Sequence, residues 1–161
     1  MRRIKSSALT SNLPGGGIHS SKRVGQRKVF RILLISGAPE DFDALRTILN
    51  DPLWHLARVG TCEEAFARLC RKPMSVVVCE SDLPDGNWRD VLNRTSQLAD
   101  PPALIVTSRL ADEHLWAEVL NLGGYDVLAK PFREGEVRHV ISTAWIQKEK
   151  SIPTVRAAAT A

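Results

Sequence analysis

Glu80 closes the apolar run Val76-Val77-Val78-Cys79 and opens the loop Glu80-Ser81-Asp82-Leu83-Pro84-Asp85-Gly86. A carboxylate there stands at the carboxyl end of a buried strand, where open α/β sheets collect ligands and reactive groups. Two more acids, Glu40 and Asp41, follow Pro39, and their first role is to complement the positive end of a helix. His19, His55, His114 and His139 show no metal-ligand spacing. Cys62, Cys70 and Cys79 are odd in number and form no CxxC pair. They read as small core hydrophobes in a reducing cytoplasm, neither bridges nor ligands.

The elements that position Glu80 alternate between strand and helix. Val29–Ile35 is apolar and rich in branched residues, as a buried strand requires. Pro39-Glu40-Asp41 starts a helix that presents Phe42, Leu45, Ile48 and Leu49 on one face and stops at Asn50-Asp51-Pro52. Leu53–Val59 alternates as a second strand. Thr61-Cys62-Glu63-Glu64 is a capping box, with Ala65, Phe66, Leu69 and Cys70 as the stripe behind it. Ser75–Cys79 is the third strand, Trp88–Leu98 a helix, and Ala103–Thr107 a fourth strand after Pro101-Pro102. Asp112–Leu122 is a helix closed by Gly123-Gly124, Tyr125–Ala129 a fifth strand, and Glu134–Lys148 a final amphipathic helix. Five such units predict a doubly wound α/β fold, a five-stranded parallel sheet with helices on both faces.

Three segments in order carry a resemblance: the Glu80–Gly86 loop, Leu104-Ile105-Val106-Thr107-Ser108, and Gly123-Gly124-Tyr125-Asp126-Val127-Leu128-Ala129-Lys130-Pro131-Phe132. Across residues 29–148 the chain resembles the response-regulator receiver domain of two-component signalling. The resemblance implies a flavodoxin-like sheet of strand order 2-1-3-4-5. It also implies an Asp phosphoacceptor, Mg²⁺ held by an acidic pair after the first strand, and a hydroxyl and a lysine on the phosphoryl oxygens. By position Glu80 stands for the acceptor, Thr107 for the hydroxyl and Lys130 for the lysine. The acidic pair falls on Ser36 and Gly37, neither an anionic ligand. The family's aromatic switch position falls on Val127, and Tyr125, two residues away, would share its face.

Glutamate carries its carboxylate ~1.5 Å further than aspartate, a displacement that costs in-line transfer ~100-fold or more. Without the acidic pair the metal is expected to be lost or weakly held, leaving no cofactor. Glu80 is then a fixed negative charge satisfied by Lys130, an imperfect mimic of the phosphorylated form, because phosphate brings about −1.5 to −2. Blander roles compete: a strand-end acid for Glu80, a structural ion pair for Lys130, a loop cap for Thr107. Trp88, where relatives often carry Gly, is expected on the surface of its helix. Trp116 and Trp145 are assigned either to the partner face of the fourth helix, fifth strand and fifth helix or to the core.

Residues 1–28 hold seven Lys/Arg and no acid, so residues 29–161 carry 15 basic against 18 acidic groups, a net −3 within the chain's +4. Three segments are expected: a disordered basic tail over 1–28, a receiver-like domain over 29–148 and a frayed tail over 149–161. With 43% hydrophobic residues and no apolar stretch of roughly eighteen, a soluble cytoplasmic protein without a secretory signal is expected. The reading is a stand-alone signalling module without enzymatic activity or output domain. Its expected partners are a histidine kinase, a phosphotransfer protein or a downstream regulator, with homodimerisation through that same face. Two rivals stand beside it: phosphorylation at Glu80 or Asp82 with a rebuilt metal site, and nucleic-acid attachment through the basic arm.

Overall fold

Strands of branched residues with no polar face are stable only where helices cover both sides of the sheet. The computed structural model, which describes residues 28–150, has that arrangement. β1 (Phe30–Ile35), β2 (Trp54–Val59), β3 (Val76–Glu80), β6 (Ala103–Ser108) and β7 (Asp126–Ala129) form one parallel sheet in the order β2-β1-β3-β6-β7. Counting the main-sheet strands alone, this is the expected 2-1-3-4-5. Alternate residues feed two cores. Leu33, Val77 and Val106 point toward α2 (Cys62–Arg71), α3 (Trp88–Thr95) and α4 (Glu113–Leu122). Ile32, Val78 and Ile105 point toward α1 (Pro39–Ile48) and α5 (Glu134–Lys150).

The helix ends follow from their capping residues. Thr61 Oγ1 accepts from Glu64 N at 3.1 Å, while the Glu64 carboxylate reaches back one residue beyond the usual box, to Gly60 N at 2.7 Å. Asp112 caps α4, and Gly123 ends it at φ +104°, a conformation open to glycine without penalty. α3 stops at Thr95, three residues short of the expected Leu98. There the Thr95 and Ser96 hydroxyls bond back to the carbonyls of Val91 and Asn93. α5 continues through Lys150, so Glu149 and Lys150 are helical where fraying was expected. The remainder of both expected tails, including the basic arm proposed for nucleic acid, lies outside the described residues.

Three further expectations are corrected. Trp88 is only 2% exposed and belongs to the core under α2 and α3, not to the helix surface. Cys62 and Cys79 are buried as expected, but Cys70 is exposed. Burial, reinforced by the Asp85 carboxylate, pushes the Cys62 thiol up to about 11. Burial likewise raises the Cys79 thiol, so both stay protonated at neutral pH. Tyr125 precedes β7 and packs against the α1/α5 core, whereas Val127 faces the other core. The pleat that would align them begins only at Asp126, so Tyr125 and Val127 do not share a face.

The loop after Glu80 contains a hairpin that sequence periodicity did not reveal: β4 (Asp82–Leu83) pairs antiparallel with β5 (Gly86–Asn87) across Pro84-Asp85. At its tip Asp85 accepts from Cys62 N at 2.8 Å and Glu63 N at 3.0 Å, capping the N-terminus of α2 from a distance in sequence. Those two N–H bonds hold the Asp85 carboxyl below its ordinary value. The folded value lies below the unfolded one. The tie therefore contributes above about pH 4 and is lost as pH falls through the folded value. Asp85→Asn is expected to speed amide exchange at Cys62 and Glu63 at neutral pH and to remove this acid dependence. Unchanged exchange would count against the tie.

Candidate functional site

Three loops meet at the carboxyl edge of the sheet. Glu80 is the last residue of β3 and lies opposite Thr107 of β6 in the parallel register. Ser81 N donates to Thr107 O at 2.9 Å, which fixes the exit of the chain from β3. Lys130 N donates to Ser108 O at 3.0 Å, so the ammonium stem leaves β7 beside the same edge. The Lys130–Pro131 peptide is cis. From the first strand, Ser36 N donates to Val59 O at 3.0 Å and Arg58 Nη1 donates to Ser36 O at 3.0 Å. The turn into α1 is therefore anchored to β2.

Lys130 Nζ donates to Glu80 Oε1 at 3.0 Å and to Asp41 Oδ2 at 2.5 Å. The lysine side chain is 9% exposed, Asp41 11% and Glu80 30%. Asp41 is thus the inner counter-charge and Glu80 the outer one. Ser36, fully buried, donates its hydroxyl proton to Asp41 Oδ2 at 2.6 Å, with Glu80 Oε2 at 3.2 Å as the alternative acceptor. Its oxygen accepts from Ala38 N at 3.1 Å, the N-cap residue whose own side chain has no capping atom. One hydroxyl therefore links the helix start, both carboxylates and, through them, the ammonium. A network of this kind holds its inner members in place, because the departure of Lys130 or Asp41 strands a buried polar group.

The expected Glu80–Lys130 pair is present, and Ser36 takes part, though as a hydroxyl and not as an acid. Gly37 contributes no side chain. Thr107 is fully buried, and its Oγ1 has no hydrogen-bond partner among the described residues, so it caps nothing. Asp82 lies exposed on β4 with its carboxylate toward Ser81 Oγ, outside the pocket. Asp41 is the residue sequence reasoning assigned elsewhere. Its place in the first turn of α1 was foreseen, but its carboxylate is buried in the pocket while Glu40 stays at the surface. The signal was available, since Asp41, Leu45 and Leu49 recur every fourth residue on the buried stripe of α1. A buried acid on such a stripe needs a partner.

The two tryptophans of α4 and α5 differ in environment. Trp145 is half-buried, stacked on Phe30 with ring centroids 5.1 Å apart, and so belongs to the core. Trp116 on α4 is 49% exposed and donates its Nε1 proton to Asp126 Oδ1 at 3.2 Å. Leu120 of α4 and Ile146 of α5 are exposed as well. Among the described residues no helix is long and apolar enough to cross a membrane.

Residues 17–142 match the family described as the response regulator receiver domain. The chain is 31% identical over 107 residues to the probable transcriptional regulatory protein TcrX of Mycobacterium tuberculosis; the match covers 66% of this chain and 45% of that relative's length. The signal receiver domain of an HD domain-containing protein from Pseudomonas fluorescens superposes with a TM-score of 0.69 at 21% identity, covering 76% of this chain and 91% of that one. A two-component response regulator from Clostridium difficile gives 0.65 at 20% identity, covering 76% and 99%. At these identities the structural likeness is one of fold.

Proposed function

The chain belongs to the response-regulator receiver domain family, and from that premise we propose that it is an atypical member acting by protein–protein contact. Glu80 is a standing negative charge where relatives carry the phosphoacceptor. One observation carries this reading: Lys130 bonds Asp41 and Glu80 at once, so its ammonium fills the space between the two carboxylates. The donor set does not fit the magnesium ion that the family implies. Gly37 has no side chain, the Ser36 proton is committed to Asp41, and each carboxylate turns an oxygen to the ammonium. Magnesium prefers six oxygen ligands in near-octahedral array and gives up its water reluctantly. No phosphoryl cycle follows from such a pocket, and the module has no enzymatic activity.

A cytoplasmic protein of a two-component or phosphorelay pathway suits this reading. A kinase, a phosphotransfer protein or a downstream regulator would read the pocket's rim. The exposed Trp116 on α4 supports a docking face over α4, β7 and α5, for such a partner or for a second copy. Incubation of the full chain with Mg²⁺ and acetyl phosphate is expected to leave its mass unchanged. A phosphoryl group added at Glu80 would falsify the proposal. One observation favours a second reading, phosphorylation with a rebuilt metal site. Asp41 puts a second carboxylate beside Glu80, each bonded to the same ammonium. The same measurement decides between the two.

A further inference from the structure

Resting on the proposed function, we infer that Lys130 is a tethered counter-ion occupying the cation position between Asp41 and Glu80, and that Asp41 is the residue that keeps it there. The two ion pairs are unequal. Asp41 and Lys130 lie 2.5 Å apart and are both about nine-tenths buried, whereas Glu80 stands at 3.0 Å with 30% of its side chain exposed. Asp41 sits in the first turn of α1, and Ser36 Oγ holds the same Oδ2 from the strand side at 2.6 Å. The inner pair is thus braced from two elements and does not depend on Glu80. Glu80, whose Oε2 has only the Ser36 hydroxyl at 3.2 Å beside it, can then be drawn outward by a partner's donor group while the lysine stays neutralised by Asp41.

A covalently tethered ammonium faces its carboxylates at high effective concentration, so a dissolved divalent ion competes poorly for the same oxygens. Among the described residues no group of three or more acids, cysteines or histidines is placed to hold a metal ion. Removing the ammonium changes the balance. Two carboxylates and the Ser36 hydroxyl then share one space without a cation, and an oxygen-seeking divalent ion becomes the natural occupant. Asp41 is a positioning residue in this account, because it acts through Lys130 on the orientation of Glu80.

The test uses the full chain as wild type, Lys130→Met, Lys130→Arg, and the double variant Lys130→Met with Asp41→Asn. Mn²⁺ is the probe, followed by paramagnetic broadening of the Ser36 and Ser81 amide signals, alongside melting in Mg²⁺. Lys130→Met is expected to bind Mn²⁺ at least about tenfold more tightly than wild type and to melt higher with Mg²⁺. Lys130→Arg keeps the charge and is expected to behave as wild type, and the double variant to lose the gain. If Lys130→Met does not fold in buffer alone, recovery of structure on adding Mg²⁺ supports the inference and no recovery opposes it. Wild type binding Mn²⁺ as tightly as Lys130→Met overturns it. A phosphoryl group on wild-type Glu80 is the separate result that ends the proposed function, whereas an unchanged metal affinity in Lys130→Met ends the inference alone.

Discussion

Lys130→Met is expected to lower the free energy of unfolding by about 3 kcal/mol, far more than either carboxylate variant. Methionine matches the lysine stem in bulk but brings no charge, so Asp41 and Glu80 would face each other uncompensated in a pocket with little water. Breaking a buried pair from one side costs more than the pair itself contributes, because the remaining charge has lost both solvent and partner. Lysine serves two acids here, which makes it the worst member to remove. Glu80→Gln leaves the inner pair intact and removes only the more exposed interaction, so a loss below about 1 kcal/mol is expected. Asp41→Asn should fall between them, since Glu80 still pairs with the ammonium while the Ser36 proton keeps an acceptor. Urea midpoints for the three variants give the ranking directly. Glu80→Gln as the most damaging change would mean that Glu80, not Asp41, anchors the lysine.

The main architecture was legible because the strands carry unbroken apolar runs and the helices carry strong caps. Val76–Cys79 is fully buried in β3, and Thr61, Asp112 and Gly123 mark helix ends as their chemistry requires. What escaped was tertiary in origin. The hairpin β4–β5 has two residues per strand, too few for any period to show, and only Pro84-Asp85-Gly86 hinted at a turn. Asp85 caps α2 across more than twenty residues, a contact no local pattern encodes. Asp41 was obscured by a sufficient local explanation, since acids belong in the first turn of any helix.

The pocket divides along the same line. Glu80 and Lys130 were readable because each sits at a strand end with a distinctive neighbour, the loop of Pro84 and Gly86 or the following Pro131. Arg58, which anchors the Ser36 carbonyl from β2, belongs to a strand whose sequence carries no motif. The pairing of Tyr125 with Val127 failed because a period of two applies only inside a strand, and Tyr125 lies one residue before it. Sequence spacing therefore located the charges that form the pocket's outer edge. The inner charge required knowing which face of α1 turns toward the sheet.

Trp88 obeys the same rule as Asp41, and its replacement is the other change with a large expected effect. Trp88, Val91 and Thr95 fall at the first, fourth and eighth positions of one stripe, and all three are buried on α3. The indole fills the core between α2, α3 and the sheet, and the Arg89 guanidinium lies over its ring at 4.9 Å. Its backbone N–H donates to Ser81 O at 3.2 Å, joining the start of α3 to the loop that follows Glu80. Trp88→Ala removes the largest buried side chain and leaves a cavity that strand-bound neighbours cannot close, a loss of about 4 kcal/mol. For a domain of this size the melting point should fall by roughly 10 °C or more. Trp88→Phe keeps an aromatic body and is expected to recover at least about half of that loss. Calorimetry on both variants checks the account, and a Trp88→Ala protein melting within a few degrees of wild type would return the indole to the surface. Trp88→Gly removes the same ring and should be at least as damaging as Trp88→Ala. The core beneath the hairpin has been built around the ring, and the loop that presents Glu80 rests on it.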